Sequence, residues 1–231
     1  NRSWTSPLSR DTNLVGHWKF DEGSGTTAYD SSGYGNHGTL TNGPVATTTA
    51  YSERVLYFDG VNDYVITNSF AIFNANESIA FSGWINCDLD AVSDRTFFTS
   101  SFGGYTEGWL NIRRTINTNT LNFRYTNGTA GPSAGASNFF IDQNNQWVFI
   151  AIVADYNKKN VIFYKNGILY LNWNTSEVML FPSFSGTKLI GAYTTGAAFM
   201  KGFIDDIRIY NRALSANEIT NIYNQTKSKY Q

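Results

Sequence analysis

Acidic and amide side chains interspersed with glycine are the first residues in this chain that could do chemistry. Asp21, Glu22, Asp30 and Asn36 lie within the segments DEGSG and DSSGYGN. Calcium takes about six to eight oxygens from carboxylates, amides and backbone carbonyls, and glycines let a loop turn its carbonyls toward one point. The competing reading is local, because Asp and Asn also cap turns by accepting from backbone N–H groups a few residues on. A second loop, with Asp59, Asn62 and Asp63, offers a rival oxygen set whose spacing is not that of an EF-hand. Asp205 and Asp206 are adjacent within an apolar stretch. On an alternating strand one carboxylate would point into each layer, and a buried carboxylate needs donors or a cation.

Aromatic and basic side chains form the other candidate set. Tyr105, Trp109, Arg113, Arg124 and Tyr125 fall on neighbouring strand-like stretches in the middle of the chain. Sugar rings stack on exposed aromatics and are oriented by a few polar groups, so these five are the candidate ligand-binding residues. Each aromatic taken singly has core or edge packing as its alternative, since a sandwich needs many of them. Trp173 and Tyr193 sit near loop ends. The tail with Lys227 and Lys229 reads most simply as solvated.

A catalytic site is not expected. His17 and His37 accompany no recognisable nucleophile motif, G-x-S-x-G is absent, and the six glutamates (Glu22, Glu53, Glu77, Glu107, Glu177, Glu218) are scattered singly. Cys87 is the only cysteine, which excludes an internal disulfide and a CxxC metal or redox motif; in FSGWINC it reads as a small buried apolar residue.

The chain is 231 residues long, 42% hydrophobic and only 15% charged, with a net charge of −1 and no basic stripe. That argues against a nucleic-acid partner, and no apolar run reaches the roughly 20 residues of a membrane helix. Abundant Asn, Thr, Ser, Gly and Tyr suit an extracellular β-protein. The start at Asn1, without Met or leader, suggests a mature product or an excised domain of a larger secreted or surface protein. N-x-S/T sequons begin at Asn76, Asn127, Asn174 and Asn224.

The elements that must position these residues are short strands. Residues 1–13 have no period and read as an arm or linker; residues 14–231 read as one domain. Strand-like stretches recur at roughly 10-residue spacing, with a hairpin signal at Asn166-Gly167 of the type I′ kind. The stretch KGFIDDIRIY is apolar on both parities and therefore reads as a central strand covered on both faces. A short C-terminal helix follows, announced by the capping box of Ser215 and Glu218, with Leu214 and Ile219 as a hydrophobic staple. The expectation is an all-β, two-sheet antiparallel sandwich with one late helix.

The segments GHWKFDEGSGTTAYDSSGYGNHGTL, LYFDGVNDYV, SIAFSGWIN, QWVFIAIVAD with NVIFYKNGILY, and GFIDDIRIYNRALSANEI occur in this order. Together they resemble the laminin-G-like, concanavalin A-like jelly-roll domains of many secreted proteins, over about residues 14–224. Val148 and Phe149 depart from the pattern, since many relatives carry histidine after the tryptophan. The resemblance implies one concave and one convex sheet, a binding rather than a catalytic role, and a structural calcium ion. It brings the DEGSG…DSSGYGN loop beside the last strand, so that Asp205 completes a shell with Asp21, Glu22, Asp30 and Asn36. Glucan-cleaving enzymes of this fold resemble one another in a strand motif E-x-D-x-x-E, and that motif is absent here. The implied partner is a glycan or polysaccharide; the alternative is a structural or adhesive domain that contacts another extracellular protein and has no sugar site.

Overall fold

The structure is a computed structural model, and it describes residues 11–49, 53–68, 70, 77–89, 93–100, 109–116, 118–126, 133–175 and 186–231. Tyr105, Trp4, the sequons at Asn76 and Asn127, and residues 1–10 of the expected arm lie outside these. The strands run β1 (Leu14–Trp18), β2 (Thr27–Ala28), β3 (Gly38–Thr41), β4 (Val45–Thr48), β5 (Arg54–Asp59) and β6 (Tyr64–Thr67). They continue as β7 (Ile79–Cys87), β8 (Arg95–Ser100), β9 (Trp109–Thr115), β10 (Thr120–Thr126) and β11 (Ser133–Ala136). The last five are β12 (Trp147–Asp155), β13 (Asn160–Lys165), β14 (Ile168–Asn174), β15 (Lys188–Ile190) and β16 (Lys201–Tyr210), before helix α1 (Ala216–Thr226) and a 3-10 turn, Lys227–Lys229.

These strands form two antiparallel sheets. The first has the order β14-β13-β12-β7-β16-β5-β4, with β1 also on β16; the second has the order β11-β10-β9-β8-β15-β6-β3-β2. Strand β16 is central, as its apolar residues on both parities predict. It pairs with β7 on one side, and on the other with β5 along Lys201–Ile204 and with β1 from Ile207 onward. The expected turn at Asp59–Asp63 joins β5 to β6, and so carries the chain from one sheet to the other. Asn166 and Gly167 have φ of 51° and 77°, the left-handed pair a type I′ hairpin requires. Of the arm, the described residues are tied to the body: Asn211 N–H donates to Asn13 O at 2.9 Å, and Arg212 pairs with Asp11 at 3.2 Å.

Between the sheets lies an aromatic core with Trp18, Phe58, Phe81, Phe98, Phe123 and Phe140. A second cluster covers the outer face of the first sheet, where Trp84, Phe149 and Val153 meet Ile219 and Ile222 of α1 and Tyr230 beyond it. The helix starts as its capping box predicts: Glu218 N–H donates to Ser215 Oγ at 3.3 Å, and Ser215 N–H donates to Glu218 Oε2 at 2.8 Å. Among the described residues, no helix is long and apolar enough to cross a membrane.

Strict alternation fails at one place. The β16–β7 register shifts between Asp205 and Arg208, and Asp206 has φ of 50°. Ile204 and Ile207 both enter the inter-sheet core, so two residues instead of one separate them. The bulge turns both carboxylates to the helix side of the sheet, and both are buried, at 0% and 4% exposure. This corrects the expectation of one carboxylate in each layer.

Candidate functional site

On β9 and β10, Leu110, Ile112, Leu121, Phe123 and Tyr125 point into the inter-sheet core. The alternate positions, Trp109, Asn111, Arg113, Asn122 and Arg124, therefore lie on the outer face of the second sheet. Tyr125, expected to bind ligand, is 2% exposed and packs on Phe123 at 5.7 Å, so its ring belongs to the core. The physical reason is parity: Arg124 faces out, so its neighbour faces in.

The outer face brings the other described candidates together. Arg124 pairs with Asn111 across the β9–β10 ladder, and its guanidinium lies over the Trp109 ring, 5.5 Å from the centroid. The Tyr193 ring meets Trp109 edge-on at 5.9 Å and 74°. Tyr193 stands on the connection from β15 to β16, pinned by its own N–H donating to Ala197 O at 3.1 Å and by Met200 N–H donating to Gly191 O at 2.7 Å. Arg113 pairs with Asp94 at 3.0 Å. Asn111 is fully buried and donates its Nδ2 to Thr99 Oγ1 at 2.8 Å. Trp109 Nε1, Asn111 Oδ1 and Arg113 Nε have no hydrogen-bond partner among the described residues. Three successive outward positions of β9 thus carry unsatisfied polar atoms, where buried polar groups are ordinarily paired.

The five residues expected to hold calcium do not form one shell. Asp30 Oδ1 accepts from His17 N–H at 2.9 Å and Ser32 N–H at 2.8 Å, and Oδ2 accepts from Ser32 Oγ at 2.7 Å and Asn36 N–H at 2.9 Å. Burial alone would raise this carboxyl, but the donors from Ser32, Asn36 and His17 outweigh it and hold it below the usual range. Glu22 Oε1 accepts from Tyr29 N–H at 2.8 Å, and Asn36 donates its Nδ2 to Val15 O at 2.8 Å. The loop is thus organised as capped turns, the local alternative. Asp21 and Asp205 instead share Lys229, whose Nζ lies 3.1 Å from Asp21 Oδ1 and 3.3 Å from Asp205 Oδ2. Tyr230 Oη also donates to Asp205 Oδ2. Burial pushes the Asp205 carboxyl up to about 8, against the pull of Lys229 and Tyr230. Among the described residues, no three His, Cys, Asp or Glu side chains are grouped to hold a metal ion. The residues present do not fit the implied calcium shell. In the rival loop, Asp59 Oδ1 accepts from Val61 N–H at 2.7 Å and Asp63 Oδ2 from Asp59 N–H at 2.9 Å, again turn caps.

Two contacts were outside the reach of sequence reasoning. The Lys229 tail, expected to be solvated, is an ion-pair partner of a buried carboxylate. Asp206 forms a buried network with His17 Nε2 at 2.7 Å and Arg208 Nη2 at 3.1 Å. Burial and the Arg208 charge lower the His17 pKa, with Asp206 opposing them.

A family model described as the concanavalin A-like lectin/glucanases superfamily matches residues 58–220. A search of curated protein sequences finds no match. Among solved structures, domain 4 of AbnA, a GH43 extracellular arabinanase from Geobacillus stearothermophilus, in complex with arabinotriose, is similar at TM-score 0.71 and 18% identity, covering 91% of this chain and 98% of that one. The binding domain of botulinum neurotoxin serotype D is similar at TM-score 0.68 and 15% identity, covering 92% of this chain and 51% of that one. The binding domain of botulinum neurotoxin DC, in complex with rat synaptotagmin II, gives TM-score 0.68 and 18% identity over 94% of this chain and 52% of that one. The chain thus spans about half the length of the toxin domains. With a family model matching well over half of it, on a fold of two antiparallel sheets, the chain belongs to the concanavalin A-like lectin/glucanase superfamily.

Proposed function

We propose that this domain is a non-catalytic recognition module of a secreted or surface protein, binding a saccharide on the outer face of β9 and β10. The observation that carries this reading is the Trp109–Tyr193–Arg124 cluster, two aromatic rings at right angles with a guanidinium over one of them. The apolar ring faces of sugars stack on such side chains, and neighbouring polar groups fix their orientation. The likeness to an arabinanase domain solved with arabinotriose supports the choice of ligand class. A screen of immobilised glycans, arabinan oligosaccharides included, tests it. Trp109→Ala is expected to weaken a specific hit by roughly 30-fold, about 2 kcal/mol. A hit that survives Trp109→Ala unchanged would move the sugar site elsewhere.

One observation favours a second reading, a protein partner. The edge strand β14 exposes Ile168 at 73% and Leu169 at 58%. An uncharged, apolar sheet edge is a surface on which another chain can add a strand. A blank glycan screen from a folded domain, with binding to a partner lost on Leu169→Lys, would favour it.

A further inference from the structure

The resemblance to calcium-bearing jelly rolls assigns Asp21 and Asp205 to one metal ion, and the structure places an ammonium between those same two carboxylates. We infer that Lys229 is the cation of this site: a lysine fixed to the end of the chain stands where the family resemblance calls for a divalent ion.

The lysine is held in place from both sides. Ahead of it, Thr226 Oγ1 accepts from the Trp84 indole at 2.9 Å and donates to Ile222 O at 2.9 Å. Behind it, Tyr230 stacks on Trp84 at 4.1 Å and 25°, and its hydroxyl donates to Asp205. Asp205 has a fully buried side chain, and a carboxylate so placed requires a compensating charge. An ammonium satisfies two oxygens with two of its three donors. Calcium would need about six to eight oxygens, and here Asp30 and Glu22 are engaged by N–H and O–H donors of their own loop. Divalent ions are therefore dispensable for this fold, and the ammonium of Lys229 is not.

Thermal unfolding of the whole chain in mildly alkaline buffer, with chelator and with millimolar calcium, tests this. The native sequence is expected to melt at the same temperature in both. Lys229→Met, which keeps the apolar stem and drops the charge, and Lys229→Ala are both expected to melt lower, by about 3 °C or more. Calcium is expected to rescue neither variant, because two carboxylates fall short of the six to eight oxygens it takes. A native Tm that falls on chelation overturns the inference, because an ion is then resident despite the lysine. Variants as stable as the native chain overturn it as well. So does Lys229→Met melting with the native chain while Lys229→Ala falls, since the lysine then acts through packing and not as a cation.

Discussion

Arg113 and Arg124 stand on adjacent strands, facing the same way, yet their charges are differently placed. Arg113 is paired with Asp94, whereas Arg124 lies on the Trp109 ring with no carboxylate partner among the described residues. The half-buried Arg124 guanidinium therefore supplies donors to this face. A donor-rich surface favours a ligand group that only accepts, such as a carboxylate or a sulfate ester. Arg124→Gln is therefore expected to weaken a saccharide carrying such a group by roughly tenfold, about 1.4 kcal/mol, and a neutral counterpart far less. Titration of matched acidic and neutral oligosaccharides at two salt concentrations checks this; equal losses for both would remove the charge from the account. Part of this cluster was legible in the sequence, since Trp109 and Arg113 share a parity on β9; Arg124 joins their face through its pairing with Asn111. Parity was also the available signal against Tyr125, which shares its side of β10 with Leu121 and Phe123. Tyr193 was harder to place, because it reaches Trp109 from a connection far along the chain and no local pattern encodes that contact.

The elements differ in how openly their sequences announce them. The start of helix α1 was legible to the residue, because a capping box and a staple are local devices. They also make a pH prediction. The Arg212 hydrogen bond, then those from Ser215, hold the Glu218 carboxyl down at about 2, from an ordinary 4.5, with slight burial opposing. The folded value lies below the unfolded one, so the stabilisation is present above about 4.5 and is lost as pH falls toward 2. Glu218→Gln is expected to lower Tm near neutrality and to converge with the native chain near the acid end of that window. Parallel melting curves across the range check this, and a constant offset at every pH would contradict it. The bulge in β16 was not legible. Asp206 takes a left-handed backbone without being glycine, and what stabilises it there is a histidine and an arginine, of which His17 comes from the opposite end of the chain. The five expected calcium ligands stay apart among the described residues for a related reason. The loop residues have the right atoms, but Asp30 is surrounded by backbone N–H groups, and the group beside Asp205 is the chain's own penultimate turn.

At the scale of the whole molecule, the order of strands predicts where the fold opens last. Strands β12, β7 and β16 lie in the middle of the first sheet, between the inter-sheet core and the helix-covered cluster. Edge strands β4 and β2 are short and lie at the ends of their sheets. Hydrogen exchange should be slowest along β7, β12 and β16 and fastest along β2 and β4. Faster exchange in β16 than in β4 would mean that the centre of the sheet is not the last unit to open.

The central strand also comes after all the other described strands in chain order. While β1, β5 and β7 emerge during synthesis, each has a bare edge that only β16 can cover, and β16 is complete only at Tyr210. Synthesis must therefore run past Tyr210 before the first sheet can close. Up to that moment those strand edges stay open, exposed to proteases and to pairing with copies of themselves.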